Sequence, residues 1–276
     1  IRDSISGDHL VDIVGTGGDG ANLFNVSTAA TFVVAAAGGR VAKHGNRSVS
    51  SSSGSADVLE AAGIRLDLAP GQVADCVNET GVGFMFAPAH HSAMRHAIGP
   101  RRELGVRTIF NILGPMTNPA GVKRMLIGVY EKALCRPVAE VLSRLGAEHV
   151  LVVHSDDGLD EISIAAPSHL AEAKDGQFRE FEFQPEDAGI GRSCLEGMEV
   201  TGVAESLELI RAALSGAAGE RAARARQIVA LNAGAALYVA GLQDSIRGGV
   251  DQSLALLESG APWRKIEALA AFTASL

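Results

Sequence analysis

Along most of this chain, short Val, Ile and Leu runs end in glycine-rich or polar loops and lead into longer apolar stretches. Val11-Asp12-Ile13-Val14 reads as a buried strand ending in glycines. Ser27 to Gly39 reads as an apolar helix, with Asn25 and Ser27 as its cap candidates. Arg40 to Lys43 is a second short strand, Ala56 to Gly63 a helix, and Val82 to Ala87 a strand ending at a proline. His90 to Leu104 is helical and rich in His and Arg. Strands at Met125 to Tyr130 and His149 to His154 enclose a helix, Val138 to Gly146. Glu161 to Phe183 has the short alternating runs of an antiparallel addition, and from Ala204 the chain is helical almost to its end. This alternation predicts an α/β fold, a largely parallel central sheet flanked by helices on both faces. In such sheets ligands bind at the carboxyl ends of the strands.

Length and composition narrow the function classes. A chain of 276 residues holds one large α/β domain, with or without a small satellite. A formal charge of −8 supplies no field that would attract nucleic acid or an anionic membrane. A small anionic substrate needs only a local cluster of amides and cations. Cys76, Cys135 and Cys194 are widely spaced and form no CxxC pair, which favours a reducing compartment. The longest apolar runs, such as Ala29 to Gly39, are too short to span a bilayer, and no signal-peptide pattern is visible. A cytoplasmic location is therefore expected. There is no internal repeat, and Ser50 to Ser53 is the only low-complexity tract.

Three loops follow strand candidates. In Gly15-Thr16-Gly17-Gly18-Asp19-Gly20, four of six residues are glycine. The loop matches GxGxxG, but Ala21 to Phe24 separate it from the helix, and Lys43 and His44 stand where a dinucleotide site has an acidic residue. What remains is a loop of amides leading through Asn25-Val26-Ser27-Thr28 to a helix start, suited to phosphate or pyrophosphate. The alternative is a tight turn needing several positive-φ residues. The second loop, Lys43 through Asp57, offers cations, amides and hydroxyls together; otherwise it is a flexible Ser/Gly linker. The third, Ser155 to Glu161, reads as a solvated acidic turn or as a Mg²⁺ site, since Mg²⁺ takes one or two carboxylates when phosphates and waters complete its shell. Among His90, His91, Arg95, His96, Arg101, Arg102 and Arg107, one Arg aimed into a cleft would suit a carboxylate.

These loops in this order resemble the anthranilate phosphoribosyltransferase family. The resemblance rests on Gly15 to Gly20, Asn25 to Thr28, Lys43-His44-Gly45-Asn46-Arg47, Ser53 to Asp57, Arg107-Thr108-Ile109-Phe110-Asn111-Ile112-Leu113-Gly114-Pro115, Thr117-Asn118-Pro119 and Asp160-Glu161. It runs from about Val11 to the C-terminus. It implies transfer of a phosphoribosyl group from phosphoribosyl pyrophosphate to anthranilate, with Mg²⁺, two ions per active site. By the resemblance, Gly15, Gly18, Asp19, Asn25, Val26, Ser27 and Thr28 hold the donor. Lys43, His44, Gly45, Asn46, Arg47, Ser48, Val49, Ser50, Ser51 and Ser55 cover its phosphates. Ser27, Asp160 and Glu161 hold the metal, and Gly15, Asn46 and Arg101 bind anthranilate.

The sequence departs from the family pattern at Leu23, where a hydroxyl is usual, so no polar contact is expected there. The family also carries helices ahead of the first strand. With 90–105 they form a small helical domain that makes a homodimer, the α/β domain being 1–89 and 106–276. The chain is accordingly expected to be incomplete. No covalent nucleophile is expected, and His44 and His90 are the candidates for a late proton acceptor. The rivals are a pyrimidine-nucleoside phosphorylase of the same fold and a non-catalytic nucleotide-binding module. Lys43 to Arg47 and Asp160-Glu161 favour the transferase.

Overall fold

The computed structural model describes residues 1, 4–5, 8–47, 53–90 and 110–276, with Pro88 and Phe110 described by backbone alone. Seven strands form one sheet: β1 (Leu10–Gly15), β2 (Arg40–Gly45), β3 (Val82–Phe86), β4 (Arg124–Gly128), β5 (His149–Ser155), β6 (Ser168–Lys174) and β7 (Gln177–Phe183). Their spatial order is β3-β2-β1-β4-β5-β6-β7. The first five are parallel, and β6 and β7 extend the sheet antiparallel. This is the expected largely parallel sheet, antiparallel addition included.

The helices are α1 (Val26–Ala36), α2 (Ser55–Ala61), α3 (Pro70–Thr80), the one-turn α4 (Ala87–His90) and α5 (Phe110–Leu113), α6 (Cys135–Arg144), α7 (Val203–Leu214), α8 (Glu220–Ala240), α9 (Ile246–Glu258) and α10 (Ala261–Ala274). The pleat divides each central strand between two cores. Leu126 of β4 and Leu151 and Val153 of β5 join a large core with Phe32 of α1 and the Ala-rich α8. Met125, Ile127, Val150 and Val152 turn the other way, onto Val138 and Leu142 of α6. From Ile228 to Ala240 every residue of α8 is buried, as befits a helix apolar on all sides.

Two local expectations change. Helix α3 lies in a stretch to which the sequence reading assigns no element. Gly71, Asn78 and Thr80 weaken its propensity, but Pro70 opens its first turn, Gln72 Oε1 accepts the Ala69 N–H at 2.9 Å, and Gly81 ends it at φ 89°. Asn25 does stand at the N-cap of α1, yet its side chain caps nothing. Its Oδ1 accepts from Ser53 Oγ and Ser206 Oγ, both at 2.8 Å, and these hydroxyls outcompete the helix amides for it. The helix expected from His90 to Leu104 falls, except for His90, outside the described residues, and so does nearly all of the 90–105 domain division.

Candidate active site

The sheet has a topological switch point. From β1 the chain proceeds to β2 on one side, and from β4 to β5 on the other, so a crevice opens at the carboxyl ends of β1 and β4. Gly15 and Gly128 face each other there in register, and the Thr16 N–H donates to the Gly128 carbonyl at 2.9 Å. Asp160, five residues beyond the end of β5, folds back over this pair. A Cβ on Gly15 would lie 2.5 Å from Asp160 Oδ2, and one on Gly128 would overlap the Asp160 carbonyl oxygen. Both glycines exist to admit that approach. The loop that follows needs glycine for a second reason: Gly17, Gly18 and Gly20 have φ of 63°, 80° and 77°. The Gly17 N–H donates to Asp160 Oδ2 at 2.8 Å, joining the glycine loop to the acidic loop.

Lys43 enters from β2. It is only 3% exposed, and its Nζ donates to the Ile13 carbonyl at 2.5 Å and to Ser27 Oγ at 3.3 Å. Burial pulls its pKa down to about 8, opposed by Asp12, Glu161 and Asp160. Burial pushes Asp160 up to about 6, helped by Asp19; the Gly17 N–H and Lys43 act against this. Glu161 is raised well above the carboxylate range by burial and by Asp160 and Asp19, while the Ser27 N–H and Lys43 hold it down. Three carboxylates thus crowd one ammonium, and the surplus negative charge suits a divalent cation. Among the described residues no group of three or more His, Cys, Asp or Glu forms an all-protein metal cage. Mg²⁺ requires none, because it keeps waters and substrate phosphates in its shell.

Residues that the sequence reading does not single out hold these loops in place. Asn232 of α8 brackets Ile162: its Oδ1 accepts the Ile162 N–H at 2.9 Å and its Nδ2 donates to the Ile162 carbonyl at 3.0 Å. Ser155 Oγ donates to the Glu161 carbonyl at 2.5 Å. Ser206 of α7 meets Asn25, which also donates to the Ser53 carbonyl at 3.2 Å, so one amide ties α1, α7 and the end of the serine loop together. An Asn buried mid-helix in an alanine run is the only signal that could have pointed to Asn232.

The expected donor residues are placed unevenly. Ser27 stands with Lys43 and Glu161, whereas the Val26 side chain is fully buried and its N–H goes to the Phe24 carbonyl. Thr28 is 1% exposed, and its Oγ1 has no partner among the described residues. Leu23 pairs with Glu199 and packs on the core, without a polar side-chain role. Arg47 turns away from the glycine loop: it bonds Glu60 at 2.7 Å and Asp57 at 3.0 Å and lies 5.6 Å from the Phe86 ring centroid. Asn46 is exposed and accepts the Arg47 N–H, and Ser55 Oγ reaches the Asn46 carbonyl at 3.5 Å. Ser48, Val49, Ser50, Ser51 and Arg101 lie outside the described residues.

His44 does not stand as a proton acceptor. Nδ1 is 2.6 Å from Asp12 Oδ2, and Nε2 is 2.8 Å from the Gly114 carbonyl. With both nitrogens facing acceptors, the ring has no lone pair to offer. Burial lowers its pKa, but Asp12 and the Gly114 carbonyl outweigh burial and raise it. His90, at the end of α4, is held below the usual imidazole range by burial.

Fold and site together define a class, the glycosyl transferases with an α/β domain: the profile of the glycosyl transferase family, a/b domain, matches residues 7–262. Curated relatives narrow it. An anthranilate phosphoribosyltransferase of Teredinibacter turnerae is 65% identical over 269 residues, spanning 98% of this chain and 79% of the relative. One of Marinobacter nauticus is 63% identical over 270 residues, with the same 98% and 79% shares. This chain belongs to the anthranilate phosphoribosyltransferase family and is a transferase. The solved enzyme of Thermus thermophilus superposes with a TM-score of 0.90 at 42% identity, over 98% of this chain and 79% of that one. The Saccharomyces cerevisiae enzyme, in complex with phosphoribosyl pyrophosphate and Mg, gives a TM-score of 0.85 at 28% identity over 97% and 74%.

Proposed function

We propose that this chain transfers the 5-phosphoribosyl group from phosphoribosyl pyrophosphate to the amine of anthranilate. The products are N-(5-phosphoribosyl)anthranilate and pyrophosphate, and the reaction is a step of tryptophan biosynthesis. The observation that carries the reading is the convergence of the glycine loop, Lys43, Ser27 and the Asp160–Glu161 pair on one switch-point crevice. Enzymes of this family from yeast are solved in complex with phosphoribosyl pyrophosphate and Mg and with 4-fluoroanthranilate.

The crowded carboxylates fit Mg²⁺, which Asp160, Glu161 and Ser27 would hold directly or through water. When bound, it supplies positive charge opposite the pyrophosphate. Gly15, Gly18, Asp19, Asn25, Ser27 and Thr28 orient the donor, and the amides of the loop and of the α1 N-terminus face the charge that grows on the leaving oxygens. Lys43, fixed against the Ile13 carbonyl, adds a buried cation. Val26 contributes through its place in the backbone, and Gly45 to Ser51 with Ser55 form the cover, the His44 side chain being turned to Asp12. Asn46 and Arg101 bind anthranilate, Arg101 as the bidentate partner of its carboxylate, and Gly15 lines both subsites. The aryl amine is neutral at pH 7, so it attacks C1 as that carbon becomes oxocarbenium-like and the bond to pyrophosphate breaks, and after the C–N bond forms its proton passes to water or to the departing pyrophosphate. Rate enhancement comes from positioning and electrostatics, without a covalent nucleophile.

Two Mg²⁺ per site, a homodimer, a cytoplasmic location and a small helical domain that includes 90–105 belong to the same proposal, supported by the family resemblance. Among the described residues, no helix is long and apolar enough to cross a membrane. The test is direct. Anthranilate fluorescence falls when phosphoribosyl pyrophosphate and Mg²⁺ are added to the protein, and no fall at any Mg²⁺ concentration refutes the assignment.

A further inference from the structure

We infer that Asp12 is a positioning residue for the acceptor side of the site, acting through His44 to fix the segment 114–118 against strands β1 and β2. The inference rests on the proposed placing of anthranilate between Asn46 and Arg101.

Successive residues of a strand face opposite sides of the sheet. Lys43 points towards α1 and the metal-holding residues, so its neighbour His44 points the other way, where Asp12 of β1 also projects. Asp12 is fully buried and His44 is 4% exposed. Buried charges of this kind persist only when paired and hydrogen-bonded. The pairing here falls on one oxygen, since Oδ1 has no partner among the described residues. Asp12 Oδ2 takes His44 Nδ1 at 2.6 Å and Asn118 Nδ2 at 2.7 Å. Asn118 Nδ2 also donates to the Ala42 carbonyl at 2.8 Å, and its Oδ1 accepts the Ala120 N–H at 2.8 Å, which fixes the orientation of the amide.

The proton count follows from the partners. The Gly114 carbonyl can only accept, so His44 Nε2 carries a proton. Asp12 Oδ2 already accepts from Asn118, so His44 Nδ1 is a donor as well. His44 is thus an imidazolium between a carboxylate and a carbonyl. Among the described residues, the charged groups acting on it include Asp12, on the neighbouring strand, and Lys43, beside it on β2, and the 114–118 segment contributes the Gly114 carbonyl. The consequence is geometric. His44 lies two residues before Asn46. The ion pair therefore holds the Asn46 end of the cationic loop to the 114–118 segment. Without Asp12, burial leaves the imidazole neutral at neutral pH, and it loses the donor to one of its two acceptors.

The experiment is Asp12→Asn, with anthranilate KM, kcat and donor affinity measured separately between pH 6 and 8. At pH 8 the anthranilate KM should rise about tenfold or more, the scale of one lost charge-assisted hydrogen bond. The affinity for phosphoribosyl pyrophosphate with Mg²⁺, by calorimetry, should stay within about twofold, an effect below 0.5 kcal/mol. Because burial holds the unpaired imidazole below its ordinary pKa of about 6.5, the defect should persist from pH 8 down to pH 6. A lower melting temperature with unchanged KM and pH profile would overturn the inference. If Asp12→Asn does not fold, Asn118→Ala with the same KM measurements and nitrogen-15 spectra of the wild-type histidines decide. Two protonated ring nitrogens on His44 at pH 7 support the inference, and a neutral ring at that pH refutes it. Wild-type turnover is the control: its absence counts against the proposed reaction, and an unchanged variant KM beside normal turnover counts against Asp12 alone.

Discussion

Gly15→Ala separates the site from the fold that carries it. The added Cβ would lie 2.5 Å from Asp160 Oδ2, whereas ordinary contacts begin at 3.4 Å. The first obstacle is a side chain, so the carboxylate retreats by about 1 Å and the core stays intact. That movement breaks the bond from the Gly17 N–H, now 2.8 Å, since an acceptor beyond about 3.5 Å no longer counts as bonded. A hydrogen bond to a charged group is worth about 1.5–3 kcal/mol, which corresponds to roughly ten- to a hundredfold in affinity. Donor affinity in the presence of Mg²⁺, measured by calorimetry, should fall by that factor, with the melting temperature of the unliganded protein lowered by only a few degrees. Gly128→Ala is the contrasting perturbation. Its Cβ meets the backbone carbonyl of Asp160, which has nowhere to go, so the melting temperature should collapse. Unaltered donor binding in Gly15→Ala, or a melting temperature falling as steeply as in Gly128→Ala, would refute the reasoning.

Other consequences follow from the same geometry. Asp160 and Glu161 have folded-state pKa values above the ordinary carboxylate range, Asp160 at about 6, so the folded chain binds their protons more tightly than the unfolded one. Their contribution to stability is therefore fully present near pH 4 and is lost as pH rises, for Asp160 through about 6. Thermal melts without metal should show wild type losing stability relative to Asp160→Asn between pH 5 and 7.5; parallel curves would contradict the burial argument. Mg²⁺-dependent donor binding should run the opposite way and weaken below pH 6, because the ligands must be deprotonated. Asn232→Ala strands the buried N–H and carbonyl of Ile162, at about 1–3 kcal/mol each, and should lower the melting temperature by several degrees. A shift too small to resolve would mean that the clamp is idle. Glu60→Gln loosens the hold of α2 on Arg47 and should tighten donor binding slightly at low salt and not at high salt; weaker binding would show that Arg47 serves α2 and not the donor.

Much of this protein could be read along the chain. Strand, glycine loop and apolar helix are written in contiguous residues, because a buried parallel strand needs a β-branched run and an anion-binding turn needs positive φ. Lys43 and the Asp160–Glu161 pair stood out as charged groups at the end of an apolar strand or in the loop that follows one. Where local signals are weak or shared, the reading fell short. Helix α3 has glycine and asparagine among its residues, and Asn25 looks like a cap until two serines from elsewhere claim it.

The amino-acid order by itself determined an α/β chain with an anion loop, a cationic loop and an acidic loop, each behind a strand. It did not determine that they meet. The bond from Gly17 to Asp160 joins residues 143 apart, Asn118 reaches Asp12 across 106, and Asn232 holds Ile162 across 70. No propensity or periodicity specifies such pairs; they follow from the strand order β2-β1-β4-β5, which only packing of the whole sheet decides. That order places Gly15 beside Gly128 beneath Asp160. It also makes His44, read along the chain as a ligand or proton acceptor, a buried cation facing Asp12 on the far side of the sheet.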